Sequence, residues 1–159
     1  MTKFRDTATV SRRTALELTG GGIFAAIFAG SFVAGANADA KGLAEAIKKA
    51  VGDGKLSEGK ITLELPEIAE NGSTVPISFS VESPMTDSDY VKTVHLFAEK
   101  NPVADVASIH FTPASGEAKA ATRIRLAGTQ NIVAVAEMSD GSLYTTKRLV
   151  KVTIGGCGG

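Results

Sequence analysis

The chain has 159 residues, with 17 Lys+Arg balanced by 17 Asp+Glu, two His, one Cys and no Trp. That length fits one domain of ordinary size, and an apolar fraction of 43% is enough for a core. A net charge of zero without basic clustering provides no footprint for nucleic acid, and a single Cys makes neither an internal disulfide nor a Cys-based zinc site.

Residues 1–38 read as an export signal. Lys3, Arg5, Arg12 and Arg13 precede an uncharged stretch from Leu18 to Ala38, and Ala36-Asn37-Ala38 supplies the small-x-small pattern of a cleavage site. The stretch is just long enough to cross a bilayer, which takes about 20 residues. Glycines at 20, 21, 22, 30 and 35 weaken it as a permanent anchor, so cleavage is favoured. The pair Arg12-Arg13 within Ser11-Arg12-Arg13-Thr14-Ala15-Leu16 points to the twin-arginine route and to the periplasm, although Ala15 and Glu17 stand where that signal usually has Phe and Lys. This route moves folded proteins, so the chain is expected to fold before export. Cleavage takes four basic and two acidic side chains with it, leaving residues 39–159 at a net charge of −2.

The folded domain is expected over 39–154. It opens on one helical pattern, Leu43, Ile47 and Val51, with Lys48 and Lys49 between them and Gly52-Asp53-Gly54 as its end. That helix either lies over the rest of the domain or offers a face to a partner chain. From Ile61 the period changes to two: Val75, Ile77, Phe79 and Val81 alternate with Pro76, Ser78, Ser80 and Glu82. Similar runs follow at 91–99, 103–112, 119–126, 130–138 and 143–154. They are separated by Asn101-Pro102, Ser115-Gly116, Gly128 and Asp140-Gly141, and Asn71-Gly72 precedes the first run. Asn-Gly and Asp-Gly favour hairpin turns because both tolerate positive φ. The expectation is an all-β fold: an immunoglobulin-like antiparallel β-sandwich with a short N-terminal helix, a core built around Phe79, Phe97 and Phe111, and a flexible C-terminal tail. In Gln130–Ala136 both faces are apolar, which marks a strand covered on both sides, either by another subunit or by the N-terminal helix.

Reactive residues are few. His95 and His110 lie on expected strands with no second ligand at metal spacing, so they read as satisfied surface or core histidines, and no metal or cofactor is expected. Arg123 and Arg125 alternate with Ile124 and Leu126 and share a solvent face. What stands out is the end, Gly155-Gly156-Cys157-Gly158-Gly159. Glycine has the largest backbone freedom, so residues 155–159 read as a mobile arm that does not dock on its own domain. From Ile154 the extended chain carries Cys157 at most about 10 Å out. A thin rod tipped by a thiol suits delivery of sulfur into another protein's active site. No Lys, Arg or His adjoins Cys157 in sequence, and an ordinary thiol has a pKa of about 8.5, so the pattern suits a carried group better than a catalytic nucleophile.

The tail, preceded by Val150-Lys151-Val152-Thr153-Ile154, resembles the SoxY family of sulfur carriers in the periplasmic Sox thiosulfate-oxidising system. So do Ile68-Ala69-Glu70-Asn71-Gly72, Ser83-Pro84-Met85, Glu99-Lys100-Asn101-Pro102, Thr122–Ala127 and Ser139-Asp140-Gly141-Ser142. The resemblance implies a carrier and not an enzyme, with Cys157 as the covalent attachment site and Gly155, Gly156, Gly158 and Gly159 as its arm. It further implies a haem cytochrome that joins thiosulfate oxidatively to Cys157 as a sulfonated adduct, a manganese-dependent hydrolase that releases sulfate, and a sulfane dehydrogenase. It implies a heterodimer with a second β-sandwich subunit, SoxZ, for which strand 130–136 is a candidate contact. Two other readings remain. The terminal Gly158-Gly159 is shared with ubiquitin-like carriers that hold sulfur as a C-terminal thiocarboxylate, but those need cytoplasmic ATP. A lone exposed Cys in an oxidising compartment also suits an intermolecular cross-link in a structural protein.

Overall fold

A computed structural model describes the secondary structure of residues 34–156 and the side-chain environments of 41–156. The expected export signal, including Arg12 and Arg13, lies outside the described residues except for Ala34–Ala38, which open helix α1 (Ala34–Val51). Gly52 stops the helix as the sequence suggests, with φ +76° and its N–H donating 2.8 Å to the Lys48 carbonyl. Lys48 and Lys49 stand in the last turn, where the helix dipole favours positive charge, and Lys48 also pairs with Asp53 at 2.7 Å.

Among the described residues nine strands follow: β1 (Leu56–Glu58), β2 (Ile61–Glu64), β3 (Ile68–Asn71), β4 (Val75–Val81), β5 (Val91–Ala98), β6 (Asp105–His110), β7 (Ala118–Ile124), β8 (Gln130–Met138) and β9 (Leu143–Ile154). They form an all-β sandwich with the helix at its N-terminal end. The larger sheet has the order β1-β9-β8-β5-β6, with β3 also on β9, and the smaller has the order β2-β4-β7. The alternation in β4 is realised in full, with Val75, Ile77, Phe79 and Val81 buried, and Phe79 meets Phe111 edge-on at 6.2 Å. Opposite them, Val94, Leu96, Ile132, Ala134 and Val150 complete the core from the larger sheet. Most pairings are antiparallel, but β1 and β3 both run parallel to β9, along its first and last thirds. Those two strands have three and four residues, too short for a period to register.

The two-sided apolar strand resolves in favour of the helix. Val133 and Val135 of β8 and Phe97 of β5 face away from the core, and Leu43, Ala46, Ile47, Ala50 and Val51 of α1 pack on them together with Leu56. Those helix residues recur at i, i+3, i+4, i+7 and i+8, the stripe an amphipathic helix lays on a sheet. The proposed subunit contact at strand 130–136 is therefore corrected, because this face is already covered by the chain's own helix. Phe97 consequently belongs to this second cluster and not to the core between the sheets.

Candidate functional site

The expected attachment site Cys157, with Gly158 and Gly159, lies outside the described residues. The described structure ends at the root of the arm, and the root is built in detail. β9 is the longest strand, 12 residues, and its last turn of pairing is with β3, where Asn71 sits opposite Ile154. The chain then leaves β3 through Asn71-Gly72-Ser73 and crosses to the smaller sheet. The Asn71 side chain accepts the Ser73 N–H at 2.8 Å and so fixes that corner.

Gly72 is the hub. Its N–H donates to the Ile154 carbonyl at 2.7 Å, and its carbonyl accepts from Leu126 N–H at 2.8 Å. The Leu126 carbonyl in turn accepts the N–H of Gly156 at 2.8 Å. Leu126 is fully buried, so this end of the 125–129 loop is anchored in the core. The expectation that every residue past Ile154 is unattached is corrected at its first two positions, since Gly155 packs against the Ala127 backbone and Gly156 against Gly72 and Ser73. Nor does Gly72 serve a hairpin through positive φ, as Gly141 does at +85°; it joins strands of different sheets and is needed for close approach.

A polar girder stiffens the same end. Asn101 donates from Nδ2 to the Arg125 carbonyl at 2.8 Å, and its Oδ1 accepts from the Ala127 N–H at 3.0 Å and from Gln130 Nε2 at 2.9 Å. Gln130, only 1% exposed, completes the network by accepting the Lys100 N–H at 2.7 Å. In the sequence, Asn101 reads as a turn residue and Gln130 as part of an apolar run. Nothing local in the sequence joins them, because their partners lie more than twenty residues away. Breaking this girder with Asn101→Ala should destabilise the domain by about 1–3 kcal/mol through loss of satisfied polar groups, read as a lower unfolding midpoint.

Arg123 and Arg125 are exposed, as expected. His110 is exposed and sits 3.0 Å from Thr93 Oγ1. His95 departs from the expectation of a satisfied histidine. It is buried with Nδ1 2.8 Å from Ser108 Oγ, while its Nε2 has no partner among the described residues. It borders a cleft of about 780 Å³ between α1 and the 99–105 loop. Burial lowers its pKa against the opposing fields of Asp105 and Glu137. Between that lowered value and the ordinary one of about 6.5, the unfolded chain holds a proton that the folded chain lacks. Stability therefore falls as the pH drops through that window and levels off once His95 is protonated in both states. His95→Gln should flatten the pH dependence of the unfolding midpoint just below pH 6.5, by a slope of at most about 1.4 kcal/mol per pH unit. An unaltered slope would assign the acid sensitivity to other groups.

Among the described residues, no group of three His, Cys, Asp or Glu side chains could hold a metal ion, and no helix is long and apolar enough to cross a membrane.

The described sandwich ends its last strand in a clasped glycine root one residue short of the chain's single cysteine, the scaffold expected of a carrier. The sequence profile of the family "Sulfur oxidation protein SoxY" matches residues 47–157. The solved SoxY sulfur carrier protein from Chlorobium limicola f thiosulfatophilum is 34% identical with a TM-score of 0.62, and the match covers 72% of this chain and 99% of that one. The chain belongs to the SoxY family, and it is a sulfur carrier of the Sox system. Superoxide reductases share the fold alone. The neelaredoxin from Ignicoccus hospitalis is 17% identical with a TM-score of 0.53, covering 59% of this chain and 80% of that one. The superoxide reductase from Nanoarchaeum equitans is 19% identical with a TM-score of 0.51, covering 61% and 99%. Comparison with curated protein sequences gives no match.

Proposed function

We propose that the protein carries thiosulfate-derived sulfur covalently on Cys157 and presents it to a series of partner enzymes in the periplasm, after export by the twin-arginine route. The observation that carries this reading is that the family match runs through to residue 157, the chain's single cysteine, immediately beyond a root that the domain holds by its backbone. In the first step the outer sulfur of thiosulfate bonds to Sγ of Cys157, the thiol proton is released, and two electrons pass to a haem cytochrome. A manganese-dependent hydrolase then cleaves the bond to the sulfonate group with water, releasing sulfate and leaving a sulfane sulfur on Cys157. A sulfane dehydrogenase oxidises that sulfur to a sulfonate with oxygen from three waters, passing six electrons to a haem cytochrome, and a second hydrolysis releases it as sulfate and restores the thiol. The chain supplies the attachment atom and its placement, and the partners supply the chemistry. A SoxZ-type subunit is the expected heterodimer partner. With the outer faces of Val133 and Val135 under α1, that subunit must use another surface.

The test is intact-mass analysis of the mature chain after incubation with thiosulfate and the partner enzymes, followed by peptide mapping. The expected gain is one thiosulfate less the thiol proton, located on Cys157. Sulfur found on the Gly159 carboxylate would favour the thiocarboxylate chemistry instead.

A further inference from the structure

The glycines of the arm are not equivalent. A Cβ on Gly155 would overlap the Ala127 carbonyl oxygen and lie 3.1 Å from its carbon, and one on Gly156 would overlap the Gly72 carbonyl and the Ser73 nitrogen. A Cβ on Gly72 would overlap the Leu126 oxygen and come within 2.8 Å of Gly156 N and 3.0 Å of Val152 Cγ1. None of the three has positive φ, so conformational freedom is not what the structure asks of them. What it asks for is the absence of a side chain where three backbone segments meet. Those segments are the end of β9, the Asn71–Ser73 corner and the loop at Leu126–Ala127. The hydrogen bonds form a continuous chain through them, from Ile154 to Gly72, from Gly72 to Leu126 and from Leu126 to Gly156.

We propose that this backbone clasp sets the reach of the carrier cysteine, with Gly72 as its positioning residue. Closed, it fixes Gly156 to the domain and leaves Cys157 one residue, about 3.8 Å, from an anchored point. Open, it gives back the length from Ile154, about 10 Å. A partner whose reacting centre lies near its surface can use the closed form. One with a deep site must open the clasp, and its apparent affinity is lowered by the fraction of chains that are open. The functional meaning rests on the reading of Cys157 as the carrier atom, whereas the clasp itself is testable without any sulfur chemistry.

The experiment places a nitroxide label on Cys157 of the mature chain and reads its mobility by electron paramagnetic resonance, alongside the unfolding midpoint. Gly156→Ala, beyond the last strand, should leave the midpoint in place and increase label mobility. The open population should rise about fivefold for each hydrogen bond lost. Gly72→Ala should do the same, compared at a temperature where it is folded. Gly128→Ala, in open space on the same loop, should change nothing. If the glycines serve only to loosen the chain, the added Cβ at Gly156 reduces mobility, because Ala is the stiffer residue. A decrease, or no change, at Gly156→Ala would overturn the proposal. Failure of Cys157 to take up sulfur would overturn the carrier reading and leave the clasp result standing.

Discussion

Cys157→Ser is expected to abolish sulfur loading altogether while leaving the domain's unfolding midpoint within about 0.5 kcal/mol of the parent. The sequence holds no second thiol that could substitute. A serine hydroxyl forms no stable bond to sulfane sulfur, so the loss is complete and not graded. Stability is spared because residue 157 follows the last clasped position, Gly156, and lies beyond the final strand. Intact mass after thiosulfate treatment reads the first part and thermal unfolding the second. A sulfonated adduct that survives in the variant would end the assignment of Cys157. A large loss of midpoint would mean that the thiol is part of the fold.

Val135→Asp has the largest expected effect on stability, a loss of about 3–5 kcal/mol. Val135 is fully buried between the larger sheet and α1, beside Phe97 and Val133. A carboxylate there meets the apolar side chains of the cluster and, across the strands, His95, whose burial disfavours its charged form. It must either stay ionised beside a buried histidine, take up a proton, or force His95 to charge in a buried site, and each is unfavourable. Total stabilities of single domains are about 5–15 kcal/mol, so the variant should lose a large part of its folded margin. Leu149→Asp is the control, since Leu149 is 54% exposed on β9 and the substitution should be near neutral. Calorimetry on the isolated chain is the decisive measurement. If Val135→Asp melted like the parent and failed only to pair with a second subunit, the helix would not be the cover that the structure shows.

The contrast between these two sites separates what sequence reveals from what it withholds. β4 was legible because one face of it is solvated, so polar and apolar residues alternate at the period of the strand. β8 was legible as a strand with two covered faces, but the identity of the outer cover was not, because an apolar residue records burial and not what buries it. The glycines at 155 and 156 posed the same difficulty. A position that needs freedom and one that needs close approach both call for a missing Cβ, and only the neighbours Ala127, Gly72 and Ser73 distinguish them. Cys157 is singled out by its uniqueness and placement alone, and it lies outside the described residues. Asn101 and Gln130 were not legible, since their roles come from partners brought together by the sandwich.

The arrangement around β9 has a mechanical consequence. The strand that bears the arm is flanked on both sides, by β8 along Leu143–Val150 and by β1 and β3 at its two ends. Under the proposed function, a partner that held the sulfur adduct while its own domain recoiled would pull on β9 along its length. Bonds that run across a strand resist such a tug together, in shear, where a pull from the side would unzip them one at a time. The weak link under tension is then the single bond from Gly156 to Leu126, which can give way and reform without disturbing the ladder behind it.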